Sequence, residues 1–391
     1  MTSSQVVERT TMQLAFCLFN YYPYGGLEQS FLNITKEALA QGHGVDVYTR
    51  RWQGEIPEGL HVHQVPFSGL TNHARCESYV NNLQPLLRQR QFDLIVGFNR
   101  MPGLDLYYNA DVCFINAAKR NKSPLAKLTQ RYKTYAAFER AVFSPDSSTH
   151  IMYISESEKA NYIRCYNTPE SRFHYLPPGI NKPRIKQALT ENTRQSLRRE
   201  LCIAPEQKML LMIGSDFVRK GVKRAIQGVA ALPESLQAQV KLVIVGRGAT
   251  KPMIKEAQKL GISNKVNFVG GRDDVPRFLA AADYLLHPAL SETAGNAILE
   301  AMVAGLPVFV SQICGFSFHV AAAEAGMVFN DTPFKQTAFN QQLTEFLSSS
   351  DYSRWKQNGL DYAENTDLYS RPSSAVTIMH NVAQAKKDAS I

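Results

Sequence analysis

The sequence predicts an α/β protein with two Rossmann-like, doubly wound domains that face each other across a cleft. Short apolar runs alternate with longer amphipathic segments along the whole chain, which is typical of parallel strands joined by crossover helices. This alternation pauses at Pro177-Pro178-Gly179 and in the polar stretch 181–200, and then starts again. With 391 residues the chain is long enough to fold around two separate cores. Ligands of such folds bind at the carboxyl ends of the strands.

The apolar runs also give the domain plan. Residues 1–11 are expected to be a disordered extension, 12–178 the first domain, 179–365 the second domain, and 366–391 a helix that crosses back to the first domain. In the first domain the predicted strands are 13–19, 45–48, 94–98 and 152–154, with a helix over 27–41, and a segment at 173–176 leads into the Pro-Pro-Gly turn. In the second domain they are 209–213, 242–245, 266–269, 284–286 and 308–310.

The composition excludes several classes of protein. Six scattered cysteines without a C-x-x-C pair argue against a zinc site and a disulfide framework, and they favour a reducing compartment. The nine histidines show no ligand spacing and there is no D-x-D triplet, so we predict no bound metal and no cofactor. No apolar run is long enough to span a membrane. The net charge of +9 suits acidic partners, which include phosphates, nucleic acid and anionic membrane surfaces.

Two glutamates separated by seven residues, Glu292 and Glu300, are the most informative feature of the second domain. The residues between them predict a helix with Thr293 as its N-cap and Gly305 after its last turn. Eight helical residues rise about 12 Å, roughly the distance from the ribose to the sugar of an extended nucleotide-diphosphate sugar. Helix N-termini bind anions, so the diphosphate is expected over the backbone N–H groups of Ala294, Gly295 and Asn296. The alternative is a surface glutamate beside an ordinary capped helix.

Basic residues follow two other predicted strands of this domain. Arg219 and Lys220 come after strand 209–213, where two adjacent cations suit a diphosphate and would neutralise charge on a departing nucleotide. Arg272 follows strand 266–269, within expected reach of the base or the phosphates, and the aspartates after it are expected to cap the next helix. Arg184, just past the Pro-Pro-Gly turn, is expected to point into the cleft. The alternatives are a solvated basic loop and an exposed hinge arginine.

Paired glycines, Gly25 and Gly26, lie between the first strand of the chain and its helix. Glycines at this place let a ligand approach the backbone closely and leave helix N–H groups to face it. The alternative is a plain turn between a strand and a helix.

In combination, these motifs resemble the family 4 glycosyltransferases of GT-B fold, and within them the glucosyltransferases of the lipopolysaccharide core. The resemblance runs from about residue 12 to the C-terminus, and it is also carried by AFCLFNYYPYGGLEQ, VGFNRMPGLDLYYNADVCF, RYKTYAAFERAVF, YLPPGI, GSDFVRKGV and ALPESL. It implies a retaining, metal-independent transfer of a hexose, glucose from UDP-glucose, to the heptose of the inner core. It also implies a peripheral protein on the cytoplasmic face of the inner membrane of a Gram-negative bacterium, acting on a lipid-linked acceptor.

The resemblance assigns roles to the residues of these motifs. By this resemblance, Gly25 and Gly26 face the diphosphate and sugar of the donor, Arg219 and Lys220 hold the phosphates, Glu292 contacts hydroxyls of the transferred sugar, Glu300 binds the ribose, and Arg184 and Arg272 line the nucleotide. In this family the acceptor hydroxyl attacks the sugar on the same face from which the phosphate leaves, and the leaving phosphate helps take the acceptor proton. No enzymic nucleophile is then required.

Three polar residues of the first domain complete this set of expectations. Asp111 is the first candidate for orienting the acceptor or assisting as a base, and Asp105 is the second. The resemblance also leads us to expect an acidic residue near Ser30, where this chain has a hydroxyl. The contact from this position to the sugar is therefore open, and Glu28 lies on another face of the predicted helix.

Residues 114–143 predict a basic amphipathic segment. Seven cations lie between 119 and 140 against one acid, and Ser123-Pro124 predicts the start of a helix. On that helix one stripe would combine Leu125, Leu128, Tyr132, Tyr135, Ala136 and Phe143. Cations beside such a stripe are typical of a helix on anionic lipid, so residues 119–140 are expected to bind an anionic membrane surface. The alternative is a stripe that packs into the first domain while its charges are solvated.

Other functions remain open from the sequence. A nucleotide-sugar epimerase or a glycan phosphorylase shares this domain plan, although no cofactor lysine for a phosphorylase is recognisable. Another nucleotide-sugar-dependent family 4 glycosyltransferase acting on a lipid-linked glycan is the alternative within the family. A nucleic-acid-binding protein would use the basic segment but would leave Glu292 and Glu300 without a role, so no nucleic acid partner is predicted. The paired glutamates and Arg219-Lys220 also argue against a non-catalytic scaffold.

Overall fold

The computed structural model describes residues 11–23, 25–119, 124–330 and 332–389. The chain forms two compact units: the first contains Met1–Pro177 and Ser370–Ile391, and the second contains Pro178–Tyr369. The extension predicted for residues 1–11 lies almost wholly outside the described residues. No helix in the described ranges has the length and apolarity needed to cross a bilayer.

The first unit is built on a parallel sheet of seven strands in the order β3-β2-β1-β4-β5-β6-β7. Its strands are β1 Gln13–Tyr21, β2 Gly44–Trp52, β3 Leu60–Gln64, β4 Leu94–Gly97, β5 Leu106–Asn109, β6 His150–Tyr153 and β7 Phe173–Tyr175. The four strands predicted here are confirmed, and the segment at 173–176 forms β7. The prediction lacked β3 and β5, because β3 is half polar (LHVHQ) and β5 has only four residues (LYYN).

Five helices of this unit precede its last strand: α1 Gly26–Ala40, α2 Asn72–Arg88, α3 Phe114–Lys119, α4 Gln130–Phe143 and α5 Glu156–Tyr166. The predicted helix over 27–41 is confirmed as α1. The single helix predicted to run on from Ser123-Pro124 is wrong. Ser123 lies outside the described residues, a short 3₁₀ turn spans Pro124–Leu128, and α4 starts only after Thr129, whose side chain accepts a hydrogen bond from Tyr132 N at 3.2 Å.

The second unit contains a parallel sheet of six strands in the order β10-β9-β8-β11-β12-β13. Its strands are β8 Lys208–Ile213, β9 Val240–Val245, β10 Val266–Gly270, β11 Tyr284–His287, β12 Val308–Ser311 and β13 Gly326–Phe329. All five predicted strands are present, and the prediction lacked only the short edge strand β13. The central strands are continuous apolar runs, as expected for a parallel sheet that is covered on both faces.

The remaining helices are α6 Lys182–Ala188, α7 Glu191–Glu200, α8 Val222–Ala230, α9 Glu234–Ala238, α10 Thr250–Lys259, α11 Val275–Ala281, α12 Asn296–Val303, α13 Ser317–Ala323, α14 Gln336–Ser348, α15 Tyr352–Asn365 and α16 Arg371–Asp388. Helix α16 belongs to the first unit and packs against α1. In both units the parallel strands bring the loops that follow them to one edge of the sheet, which is where ligands bind in such folds.

Candidate functional site

Glu292 is the centre of a charged cluster in the second unit. It follows β11, while Arg219 and Lys220 follow the neighbouring strand β8, so the sheet brings the three side chains together. The ammonium of Lys220 donates to Glu292 Oε2, and Arg219 Nη1 lies 3.3 Å from the same oxygen and 3.1 Å from Ser291 O. The side chains of Glu292 and Lys220 are each only 12 % exposed, so this ion pair is shielded from water.

The loop that carries the two cations depends on Gly221. This residue is the N-cap of α8 and has φ +73°, in the left-handed region that favours glycine. A Cβ at this position would collide with the carbonyl oxygen of Pro288, which follows β11. The close approach of the two loops places Arg219 and Lys220 against Glu292.

The electrostatics of the cluster keep Glu292 ionised. Burial alone would raise the pKa of Glu292, but nearby His287 and the charges of Lys220 and Arg219 outweigh it and hold the pKa well below its usual range. Burial lowers the pKa of His287, and Lys220 lowers it further, so this imidazole is neutral at pH 7. His287 Nε2 lies 3.6 Å from Glu292 Oε2, beyond hydrogen-bond distance. Glu292 is therefore an acceptor of hydrogen bonds and not a proton donor.

Helix α12 begins at Asn296, so the predicted N-cap at Thr293 is wrong. Gly295 is the N-cap and has φ +101°, which lets the chain turn sharply into the helix without a capping side chain. In the described residues, the backbone N–H groups of Ala294, Gly295 and Asn296 donate to no protein acceptor. This is the arrangement that the predicted diphosphate site requires. The predicted end of the helix is correct, because Gly305 follows the C-cap Ala304 with φ +73°.

Glu300 lies in α12, which packs against α6, the helix that carries Arg184. Burial raises the pKa of Glu300, and the charge of Arg184 opposes this shift. The Glu300 carboxylate has no hydrogen-bond partner among the described residues. Arg184 is exposed, and its guanidinium donates to the backbone oxygen of Asp273. The structure thus brings Arg184 close to Glu300.

Arg272 follows β10, two strands away from β8. Its guanidinium binds Asp274 through two hydrogen bonds of 2.8 and 2.7 Å, and Arg277 pairs with the same carboxylate. Asp274 takes the N-cap position of α11 as expected, but its side chain makes no capping bond because the two arginines occupy it. These arginines lower the pKa of Asp274 to about 2.

The paired glycines of the first unit lie where the sequence suggested, at the start of α1. Gly25 is the N-cap, and a Cβ there would collide with the carboxylate of Glu28, which folds back over it. Burial raises the pKa of Glu28. Apart from its chain neighbours and the nearby backbone of α1, no described atom lies within 4 Å of where a Cβ of Gly26 would be, so a ligand can approach this glycine. Ser30 is buried on the same helix and its Oγ donates to Gly26 O at 3.2 Å.

Asp105 and Asp111 lie at opposite ends of β5. Asp105 precedes the strand, accepts a hydrogen bond from Ile95 N at 2.8 Å and pairs with Lys386 at 2.8 Å. Asp111 follows the strand at the carboxyl edge of the sheet, where Tyr107 donates to its Oδ2 at 3.2 Å. The second choice, Asp105, therefore stands at the wrong edge to meet a ligand of this fold.

The basic segment divides its apolar side chains between the core and the surface. On α4, Phe143 is fully buried and Tyr135 is partly buried, so the predicted continuous stripe does not form. Leu125 and Leu128, in the 3₁₀ turn, are 70 % and 69 % exposed, and Lys127, Arg131, Lys133 and Arg140 are exposed as well.

Sequence reasoning did not single out His287 or Asn99. Both follow the same rule as the predicted residues, because His287 ends β11 and Asn99 comes two residues after β4. A systematic reading of every strand end would have found them. Among the described residues no three His, Cys, Asp or Glu side chains are grouped in a way that could hold a metal ion.

Comparisons with known proteins find matches for both halves of the chain. Residues 193–361 match the family described as glycosyl transferases group 1, and residues 24–184 match glycosyltransferase family 4. Over 369 residues, 94 % of the chain and 98 % of the relative, the chain is 42 % identical to the lipopolysaccharide glucosyltransferase WaaG of Escherichia coli K12. An uncharacterized glycosyltransferase of Methanocaldococcus jannaschii is 26 % identical over 78 % of the chain and 81 % of its own length.

Two solved structures share the fold of this chain. A crystal structure of WaaG superimposes with a TM-score of 0.90 at 42 % identity, covering 94 % of this chain and 99 % of that chain. The Anabaena protein HepE, crystallised with UDP and glucose, shares the fold with a TM-score of 0.71 at 16 % identity, covering 96 % of this chain and 100 % of that chain.

Proposed function

The chain belongs to the family 4 glycosyltransferases of GT-B fold, and from this premise we propose that it transfers glucose from UDP-glucose to the heptose of the lipopolysaccharide inner core. The similarity to a lipopolysaccharide glucosyltransferase over nearly the whole of both chains supports this choice of donor and acceptor class. Another lipid-linked glycan as acceptor, or less readily an epimerase, is the alternative.

The observation that carries the proposal is the convergence of Arg219, Lys220 and Glu292 beside the open N-terminus of α12. A diphosphate over the N–H groups of Ala294, Gly295 and Asn296 would meet both cations. Glu292, which stays ionised, would then accept hydrogen bonds from hydroxyls of the transferred sugar. Glu300, which we propose binds the ribose, lies four residues after Asn296, about 6 Å along the axis of α12.

The two cations account for a metal-independent reaction. As the bond between the anomeric carbon and the diphosphate breaks, negative charge grows on the leaving oxygen, and Lys220 and Arg219 stabilise it. In the retaining course that we propose, the acceptor hydroxyl forms its new bond to the anomeric carbon on the face that the phosphate leaves. The hydroxyl proton passes to the departing phosphate oxygen. Glu292 is held ionised by its neighbours and need not move a proton.

The ion pairs of Glu292 also affect how the donor binds. Without donor, its Oε2 already holds Lys220 and lies near Arg219, so the diphosphate must share these cations with the carboxylate. The cations are thereby held in place before the substrate arrives, which reduces the reorganisation that binding requires. We therefore propose that Glu292 both positions the phosphate-binding residues and contacts the sugar.

A peripheral position on the cytoplasmic face of the inner membrane of a Gram-negative bacterium follows from a lipid-linked acceptor. The surface that supports it combines Leu125 and Leu128 with the exposed cations Lys127, Arg131 and Lys133. Leu70 extends this surface, since it is 96 % exposed and lies two residues before Asn72, which donates to the Tyr135 hydroxyl of α4 at 2.9 Å. Exposed leucines among cations fit an anionic lipid surface.

The test is UDP release from UDP-glucose with a truncated, heptose-terminated lipid acceptor. Loss of one charge-assisted hydrogen bond of about 2–3 kcal/mol predicts that Lys220→Ala lowers kcat/KM by about 30- to 150-fold. Glu292→Gln keeps the shape but loses the charge, and should lower kcat. Lys223→Ala is the matched control, because Lys223 lies on α8 and pairs with Glu256 at 3.7 Å. Acceptor-independent conversion of UDP-glucose to its epimer, or Lys220→Ala with the activity of Lys223→Ala, would contradict the proposal.

A further inference from the structure

A cavity of about 170 Å³ opens in the first unit. It is lined by Phe19, Asn99, Arg100, Asp111, Tyr135 and Phe138, and we call it the Asp111 pocket. Phe19 lies near the carboxyl end of β1, Asn99 and Arg100 follow β4, and Asp111 follows β5. These three strands are neighbours in the sheet, so the pocket lies at the edge where such folds bind ligands.

Two polar groups of the pocket have hydrogen-bonding capacity to spare. Asp111 Oδ2 accepts from the Tyr107 hydroxyl at 3.2 Å and lies 3.7 Å from Arg100 Nε, whereas Oδ1 accepts from no described residue. Asn99 Oδ1 accepts from Phe19 N at 2.7 Å, whereas its Nδ2 donates to no described residue. The pocket therefore offers one acceptor and one donor, and the Asp111 side chain is 45 % exposed to a ligand.

The charges of the pocket select against an anion. The Arg100 guanidinium pairs with Glu139, which is fully buried, and lies 3.3 Å from Val112 O. Glu139 is fixed further by the backbone N–H groups of Phe114 and Ile115, at 2.6 and 3.1 Å. Because this pair cancels the charge of Arg100, Asp111 leaves the wall of the pocket negative. A phosphate would be repelled, and a neutral ligand rich in hydroxyl groups would not.

The size and the apolar lining of the pocket further restrict which ligands can bind. Pockets for drug-sized ligands measure roughly 300–1,000 Å³, so this cavity is too small for a nucleotide sugar but suits a single sugar ring. Phe19 and Phe138, with ring centroids 6.5 Å apart, and the partly buried Tyr135 supply an aromatic wall. The Tyr135 hydroxyl is held by Asn72 Nδ2 at 2.9 Å, so the ring has a fixed position. A sugar can place its C–H groups on such rings while its hydroxyls face Asp111 and Asn99.

We propose that the Asp111 pocket binds one neutral sugar residue of the acceptor, with Asp111 Oδ1 and Asn99 Nδ2 each bonded to a hydroxyl. The buried pair of Arg100 and Glu139 acts as a positioning element that fixes the loops carrying both groups. This inference rests on the proposed glycosyl transfer, whose charged donor residues Arg219, Lys220 and Glu292 lie in the second unit.

The experiment compares Asn99→Asp and Asp111→Asn with the wild type. Asn99→Asp keeps the oxygen that accepts from Phe19 N and removes the donor, and Asp111→Asn keeps the partner of Tyr107 and removes the charge. Loss of a hydrogen bond to the acceptor predicts that the acceptor KM rises about tenfold in each variant. The dissociation constant of UDP, measured by calorimetry, should stay within about twofold of the wild type. Asp146→Asn is the matched control, because Asp146 is exposed and outside the pocket.

The outcomes separate this inference from the proposed function. If the wild type transfers glucose and both variants keep its acceptor KM, the pocket is not the acceptor site. If the wild type transfers nothing to the heptose acceptor, the proposed function fails. Binding of a methyl heptoside, observed by ligand NMR, then tests sugar binding by the pocket without the transfer reaction. Binding that is weakened by Asn99→Asp but not by Asp146→Asn supports the inference. Binding that is unaffected by Asn99→Asp overturns it.

Discussion

Arg371, at the start of α16, is a buried cation without a carboxylate partner among the described residues. It is 2 % exposed, and its Nε donates to Pro177 O at 2.9 Å. Its Nη1 lies 3.4 Å from both Ser30 Oγ and the Tyr108 hydroxyl, and its Nη2 has no hydrogen-bond partner. A buried charge left with neutral partners destabilises a fold by several kcal/mol relative to a paired one.

We therefore predict that Ser30→Asp stabilises the first unit. The aspartate carboxylate reaches beyond the position of Ser30 Oγ, so it can bond the guanidinium that already lies 3.4 Å away. A hydrogen bond between charged groups contributes about 1.5–3 kcal/mol, and burial of the new carboxylate offsets part of it. The expected gain in the free energy of unfolding is about 1–2 kcal/mol, or roughly 2–8 °C in Tm.

The two tryptophans allow the units to be followed separately. Trp52 belongs to the first unit and Trp355 to the second. In a Trp355→Phe background, urea unfolding monitored by fluorescence reports the first unit alone. Ser30→Asn is the matched control, since it adds similar volume without charge.

A double-mutant cycle tests the cause of the effect. With Arg371→Met present, Ser30→Asp should destabilise the first unit, because the new carboxylate is then buried without a partner. The reasoning is refuted if Ser30→Asp is no more stable than Ser30→Asn, or if its effect is the same with and without Arg371. The result bears on the open question at Ser30, since it shows whether an acid at this position pairs with Arg371 and is unavailable to a sugar.

Three further predictions follow from the structure. Gly221→Ala should lower the free energy of unfolding by about 2–3 kcal/mol and weaken UDP binding, because it forces an L side chain into φ +73° and against Pro288. A urea unfolding curve identical to that of the wild type would contradict this. Burial lowers the pKa of His319 to about 4, below its value in the unfolded chain. The free energy of unfolding should therefore fall by about 2 kcal/mol from pH 7.5 to pH 5, and it should fall less in His319→Asn. Leu70→Ser and Leu128→Ser should each weaken binding to anionic vesicles about tenfold in flotation assays, and binding to neutral vesicles should be weak throughout.

Local sequence was sufficient to predict the two sheets and the convergence of charged residues at the candidate site. Central strands of parallel sheets are continuous apolar runs, so their positions are encoded within a few residues. Residues just after such strands are brought to one edge by the architecture itself. For this reason Arg219, Lys220 and Glu292 could be predicted to meet although they lie far apart in the chain.

Features that depend on close contacts between distant segments could not be predicted. The predicted N-cap of α12 was Thr293, but the observed N-cap is Gly295, because a glycine in the left-handed conformation turns the chain there. Capping propensity does not encode such a turn. The amphipathic pattern after Ser123-Pro124 suggested one helix, but packing buries Phe143 while leaving Leu125 and Leu128 exposed.

The sequence by itself determined the fold class, the family and the residues at the strand ends, because these are properties of short segments and of their order. Only the tertiary structure decided which partners those residues have. It placed Asp105 and Asp111 at opposite edges of the sheet, enclosed the Asp111 pocket, and brought Arg371 to Ser30 across 341 residues of sequence. Such contacts arise when whole elements pack, and no periodicity or motif within one segment records which distant side chain will fill the space beside it.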